Sequence, residues 1–304
     1  MEFGSVDIHL LDSIDFKLTA EPAFNTQTLP GQRAAQPKVH IGSSFWGGKE
    51  WVGTVYPRGT NEADYMGNYT KQFDIFELNA THYKIYDAAT IEKWAARADG
   101  RDFLFCPKIP QTISHYSTLT NTREVTTAFL SSISHFGPHL GPVFMQMGER
   151  FGPSRVNELV AYAKDWPRDV ELFIELRQPG WFTELGKWEY LVQQLRDLGI
   201  GIVITDTAGR RDCSHMHLTT TKTLVRFVGN NGHPTDRPRL DDWANRTRYW
   251  IEQGLEEMYF ILHMHGNEQI APTVVYFGNL VEAQCGIPVK KPIIRDEPTQ
   301  TSLF

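Results

Sequence analysis

No stretch of this chain approaches the roughly 20 consecutive apolar residues that cross a bilayer. Its N-terminus also lacks a basic flank followed by an apolar run and a cleavage site. These absences predict no export and no membrane partner, and so a cytoplasmic protein. Cysteine is scarce: Cys106, Cys213 and Cys285 form an odd set, which argues against a disulfide framework and fits a reducing compartment. Positive charge is not in excess, because 30 Lys and Arg stand against 36 Asp and Glu, for a net charge of -6. That balance argues against a broadly basic nucleic-acid binder, although it is compatible with a local basic cleft. A glycine-rich phosphate loop and a G-x-S-x-G nucleophile elbow are both missing.

What the 304 residues do contain is a steady alternation of apolar runs and amphipathic segments. Strands are predicted at 39–44, 74–79, 103–108, 143–146, 172–177, 202–206, 224–228 and 258–263. Helices are predicted at 61–71 and 122–134, opened by Asn61 and Thr122 as caps, and at 90–98, 154–163, 187–198, 241–253 and 272–285. The segment 207–223 shows no convincing helix. Strands alternating with helices imply parallel pairing, and about eight such units in roughly 250 residues are the size of an α/β TIM-like (β/α)8 barrel. A doubly wound sheet is the structural alternative. The expected organisation is an irregular extension over 1–37, a single barrel domain over 38–286 and a tail over 287–304.

The stretch from Phe73 to Tyr83 shows where chemistry is to be sought. Alternate strand residues share a face, so Ile75, Glu77 and Asn79 point one way and Phe76 and Leu78 the other. A strand flanked by helices is rarely wet on either face, so the polar side must look into a barrel or beyond a sheet end. The same pattern recurs: Lys108, Gln146, Glu175 with Arg177, Asp206, Arg226, and His263 with His265 all stand at strand ends. In a barrel these ends converge on the C-terminal mouth. Gathering so many polar groups costs desolvation that packing alone does not require.

Each group has a chemical reading and a bland one. Lys108 follows an apolar strand, so burial would lower its pKa, as a Schiff-base or proton-transfer lysine requires; alternatively it pairs with Glu77 or Glu175. Glu175, with Glu77 as partner, is the leading acid/base candidate, unless cations nearby hold it ionised. Lys108, Arg177, Arg210, Arg211 and Arg226 form a candidate anion-binding set. Cys213, His215 and His217 alternate in a loop, but their spacing matches no zinc motif, and Glu175, Asp206 and His263 would be the better ligand set. On balance no metal is assigned. Trp46, Trp51, Tyr83 and Trp181 are either stacking platforms or packing.

Several motifs in register carry a resemblance: Gly42-Ser43-Ser44-Phe45-Trp46 with Trp51, Tyr56 and Pro57, then Glu77 to Tyr83, Pro107-Lys108-Ile109-Pro110 with His115, Val143 to Gln146, Glu175 to Phe182, and Thr205-Asp206. From about Val39 to Cys285 the chain resembles the domain-of-unknown-function family 72, the YecE-like proteins. The resemblance implies a TIM-like barrel and brings no established activity. The pattern departs from the family's at Val228 and over His263 to Gln269.

The expected function is therefore that of an enzyme using acid/base chemistry on a small anionic ligand, phosphorylated sugar-like or nucleotide-like, at the barrel mouth. Glu175, Glu77, Lys108 and Asp206 are the catalytic candidates. Trp46, Asn79, Tyr83, His115, Gln146, Arg177, Arg226 and His263 are the substrate-binding candidates. A nucleic-acid protein of endonuclease IV-like type and a noncatalytic ligand-binding barrel are the alternatives. The sequence specifies neither a cofactor nor an oligomeric state.

Overall fold

The computed structural model describes residues 4–295; residues 1–3 and 296–304, the outer ends of the expected extension and tail, lie outside the described residues. Eight parallel strands are present: β1 (Lys38–Ser43), β2 (Ile75–Leu78), β3 (Leu104–Pro107), β4 (Val143–Gln146), β5 (Leu172–Glu175), β6 (Gly201–Asp206), β7 (Lys222–Val228) and β8 (Glu257–His263). They form one sheet in the order β3-β2-β1-β8-β7-β6-β5-β4. The gap between β3 and β4 is spanned by bridges from Phe105 to Leu140 and from Lys108 to Phe144. There Ile109 N donates to Phe144 O at 3.0 Å. The result is a nearly closed TIM-like barrel in one domain.

Two glycines set how tightly the strands close. A Cβ on Gly42 would stand 1.9 Å from the Ile75 carbonyl oxygen, so only glycine lets β1 and β2 approach as they do. A Cβ on Gly201 would strike the Phe173 ring at 2.1 Å, so glycine in β6 makes room for that ring beside it.

The helices are α1 (Tyr65–Gln72), α2 (Ala80–Tyr83), α3 (Ala88–Ala95), α4 (Gln111–Ser114), α5 (Arg123–Ile133), α6 (Val156–Asp165), α7 (Gly180–Thr183), α8 (Leu185–Asp197), α9 (Asp236–Gln253) and α10 (Ile270–Cys285). The single turns α2, α4 and α7 follow the ends of β2, β3 and β5. The caps expected at Asn61 and Thr122 make no capping bond. Asn61 opens a 3-10 turn instead, and the Thr122 hydroxyl donates to Leu119 O at 3.4 Å. Asp87 is a working cap, accepting from Thr90 N at 2.8 Å. α9 begins five residues before its expected start at 241, because Pro238 falls in the first turn, where an N–H has no helical partner to lose.

No helix follows β6, as the sequence indicates; residues 207–221 hold only the short 3-10 turn Arg211–Cys213. The N-terminal extension covers that flank. Asn25 donates from its amide to Met216 O and accepts from Leu218 N, both at 2.8 Å. Thr19 and Thr28 hydroxyls donate to Ser214 O and Leu218 O. The backbone polar groups that a helix would have satisfied internally are met by side chains from nearly 200 positions earlier.

Inside the barrel the side chains form three tiers. At the N-terminal end, His40, Glu171, Lys222, Glu257 and Tyr259 are linked by hydrogen bonds, among them His40 to Glu257 at 2.8 Å and Tyr259 Oη to Glu171 at 2.9 Å. In barrels of this architecture the N-terminal end serves stability rather than chemistry, and the linked charges close the floor. Above it lies an apolar tier of Ile75, Cys106, Phe144, Phe173, Val203, Leu224 and Ile261. The third tier, at the C-terminal ends of the strands, is polar and is the candidate site.

Candidate functional site

Strand alternation decides which residues reach the mouth. Ile75, Cys106, Phe144, Phe173, Val203, Leu224 and Ile261 face the barrel interior. Two residues onward along each strand stand Glu77, Lys108, Gln146, Glu175, Thr205, Arg226 and His263. All but His263 are buried.

Arg226 is the hub of this tier. Its Nε and Nη2 donate to Glu77 at 2.9 and 3.1 Å, and its Nη1 donates to Glu175 at 2.7 Å. Glu77 is further held by Asn79 Nδ2 at 2.9 Å and by His263 Nε2 at 3.0 Å. His263 Nδ1 in turn meets the Ser44 hydroxyl at 3.1 Å. Glu175 also accepts from Arg177 Nε at 2.8 Å. β5 ends at Glu175, so the Arg177 side chain reaches back from beyond the strand.

Lys108 stands apart from these ion pairs. It is 8% exposed, and its Nζ donates to Gln146 Oε1 at 2.9 Å. Among the described residues no carboxylate lies within ion-pair distance of it. The Gln146 amide nitrogen faces His115 Nε2 at 3.5 Å, and the His115 ring meets the His82 ring edge-on at 4.8 Å. His82 is anchored by its Nδ1 on the Ile109 carbonyl at 2.8 Å.

The protonation states follow from these contacts. For Glu175, burial works to raise the carboxyl, but Arg177 and then Arg226 outweigh it and hold it at about 2. Glu77 is likewise opposed by burial and brought well below the usual carboxylate range by Arg226 and His263. Burial, and after it the Arg226 charge, bring Lys108 down to about 8, against the pull of Glu77 and Glu175. Burial lowers His115 and takes His82 down to about 4, so both imidazoles are neutral near pH 7.

Several expectations are corrected here. Asp206 does not face the mouth: it shares its face of β6 with Ile202 and Ile204, which pack in the outer core. There it meets Arg211, Arg239 Nη2 at 3.0 Å and Trp243 Nε1 at 2.7 Å, and it clamps α9 to the sheet. Glu175, Asp206 and His263 therefore do not converge as a ligand set. Arg226 is committed to two carboxylates, so the expected anion-binding set loses its central member. Glu175 is held ionised at about 2, far from the range useful for proton transfer near neutrality. Lys108 does not take Glu77 or Glu175 as its counter-ion, because Arg226 holds both.

Trp51 and Trp181 are fully buried, with their indole N–H groups donating to Asn267 O and Phe151 O, and cannot be platforms. Trp46 leans on Phe76 with ring centroids 4.8 Å apart, a packing contact. Tyr83 is 73% exposed, while its neighbour His82 turns inward. Arg210 pairs with Asp212 at 2.7 Å, and His215 is half-buried with its Nε2 against Val203 O. Ser44, His82 and Thr205 belong to the mouth; the sequence placed them within the family motifs but not among the site candidates. Counting by twos from Val203 would have chosen Thr205 over Asp206.

The family model described as a protein of unknown function, DUF72, matches residues 40–297. The chain belongs to that family. Among curated relatives, the UPF0759 protein YecE of Escherichia coli K12 is 27% identical over 256 residues, covering 78% of this chain and 90% of its own. The UPF0759 protein YunF of Bacillus subtilis 168 is 26% identical over 241 residues, covering 72% and 80%. A solved structure of a DUF72 family protein from Enterococcus faecalis V583 superposes with a TM-score of 0.61 at 16% identity, covering 87% of this chain and all of that one. This likeness concerns the fold alone. The DUF72 match begins inside β1, so the extension that covers the β6 flank lies outside it.

Proposed function

We propose that this DUF72 barrel is an enzyme that transfers a proton through Lys108 on a small anionic substrate bound at the C-terminal mouth. The observation that carries this reading is the isolation of Lys108. Its ammonium is buried among mouth groups, yet its hydrogen-bond partner is a neutral amide, and the two carboxylates within electrostatic reach are committed to arginines. Proton transfer works best with a group whose pKa lies near the working pH, which favours Lys108 at about 8 over Glu175 at about 2.

Charge gives the substrate class. Glu77 and Glu175 balance Arg226 and Arg177, so protonated Lys108 adds a positive charge that an anion would complement. Thr205 Oγ1, on the same inward face, is buried with no hydrogen-bond partner among the described residues and is available to a ligand oxygen. Phosphorylated sugar-like and nucleotide-like compounds fit this combination.

The test is to measure phosphate binding by the parent and by Lys108→Met, then to screen sugar phosphates and nucleotides for turnover. Loss of the lysine should abolish phosphate binding and lower any turnover found by about 10²–10⁴. Turnover by the parent should change with pH around 8, rising if the amine is the base and falling if the ammonium is the acid. Parent-like binding and turnover in the variant would overturn the reading.

A further inference from the structure

We infer that the Lys108 amine captures carbonyl compounds: a small anionic aldehyde or ketone condenses with its Nζ to form an iminium at the barrel mouth. This deepens the proposed function and rests on its placement of an anionic ligand beside Lys108. Three features of the geometry point to it.

The first is that, among the described residues, no carboxylate pairs with Nζ. A lysine locked in an ion pair keeps its proton, whereas the Gln146 oxygen accepts a hydrogen bond at 2.9 Å and leaves the nitrogen free to lose one. The second is the surroundings. The Phe144 ring centroid lies 5.6 Å from Nζ, and Arg226, itself 5.3 Å from the same ring, is the like charge that most disfavours protonation of the amine. An apolar wall and a neighbouring cation are the two conditions under which proteins make a lysine nucleophilic near neutral pH. The third is the stability of the product. Glu77 and Glu175 are fixed by Arg226, yet both attract positive charge at Lys108. An iminium carries the same charge as the ammonium it replaces, so the mouth's balance is kept.

The step closes in atoms and charge. Neutral Nζ adds its electron pair to the carbonyl carbon, and the carbonyl oxygen takes up a proton, giving a carbinolamine. The nitrogen gives up a proton, the hydroxyl is protonated and leaves as water, and a C=N⁺ bond forms. From the ammonium, two N–H hydrogens leave with the carbonyl oxygen as water, and no oxidant or reductant is needed. His115, held neutral by burial and 3.5 Å from the Gln146 amide, is placed to relay these protons. His82 beside it is also neutral, and His263 lies against Glu77.

The experiment uses the full chain and pyridoxal 5′-phosphate as an anionic aldehyde. Borohydride reduces any iminium to a stable secondary amine, located by peptide mass spectrometry. Exposed Lys93, Lys164 and Lys187 serve as internal controls. An amine at about 8 has roughly two hundredfold more neutral form near pH 7 than an ordinary lysine, so Lys108 should label at least about tenfold faster than the controls. Inorganic phosphate should slow that labelling, and the uncharged aldehyde glyceraldehyde should label Lys108 less efficiently. Lys108→Arg should keep phosphate binding and lose the adduct.

Labelling of Lys108 no faster than of the controls would overturn the inference. If phosphate still bound in that case, and Lys108→Met abolished the binding, the acid/base reading would survive alone. If neither adduct nor phosphate binding appeared, both would fall.

Discussion

Replacing Arg226 by Met tests the central ion cluster most directly. Glu77 is 0% and Glu175 1% exposed, and both lean on the same guanidinium. Removing one partner from a buried ion pair costs about 3–5 kcal/mol, because the charge left behind is uncompensated. Among the described residues Glu175 would keep Arg177, whereas Glu77 would keep Asn79 and His263. The loss therefore falls mainly on Glu77. At about 2 °C or more per kcal/mol for a domain of this size, the melting temperature should drop by roughly 6–10 °C at pH 8.

The dependence on pH is the sharper signature. In the parent, the depressed Glu77 and Glu175 carboxyls add stability that is complete above their ordinary pKa of about 4.3 and is lost only as pH falls through their folded values. Without Arg226, burial is the main influence on Glu77, so its carboxyl should rise above the ordinary value. Such a group destabilises at high pH and is relieved as pH falls. The gap between variant and parent should therefore narrow from pH 8 to pH 5. Parallel thermal melts at pH 5, 6.5 and 8 read this out. A gap below about 2 °C at pH 8, or one that stays constant across the series, would refute the cluster as described.

Lys108→Met should stabilise the fold by about 1–3 kcal/mol at pH 7, since a buried cation without a counter-ion is removed. The cost of that cation is present in full below about 8 and fades as pH rises through the ordinary lysine value of about 10.4, so melts at pH 7 and 10 should show the advantage shrinking. Asp206→Asn should destabilise by about 1–3 kcal/mol, because Arg239, 1% exposed, keeps Asp236 at 3.2 Å but loses one of its two carboxylate partners, while phosphate binding at the mouth stays at the parent level; a variant as stable as the parent in urea would dismiss the α9 clamp. Asn25→Ala should cost about 2–4 kcal/mol, since Met216 O and Leu218 N both lose a buried partner; an unchanged urea midpoint would show that the extension does not secure the β6 flank.

The barrel was legible because buried parallel strands write themselves as short apolar runs. Leu172-Phe173-Ile174 and Ile202-Val203-Ile204 need no context to be recognised. The missing helix after β6 could be read as well, from the lack of periodicity over 207–223. What replaces it could not. Asn25 meets Met216 and Leu218 across a separation of more than 190 residues, and no local pattern announces a contact of that range. The early start of α9 was hidden by Pro238, which suggests a helix boundary until its first-turn position is known.

At the mouth, the residue types were legible and their pairing was not. Strand parity told that Glu77, Lys108, Gln146, Glu175 and Arg226 would meet, and it would have turned Asp206 outward had it been applied to β6. It carries no information on which cation takes which anion. Glu175 lies 51 positions from Arg226 and Glu77 lies 149 from it, so the choice is made by the curvature of the sheet rather than by spacing. Once the guanidinium bridges both carboxylates, their roles change. They become the frame that holds Arg226, and their low pKa values make them poor proton carriers. The same bridge leaves Lys108 without an anion of its own and with a second cation beside it. The two acids that looked like the chemistry in the sequence thus leave, through Arg226, a buried lysine whose partner at the mouth is the neutral Gln146 amide.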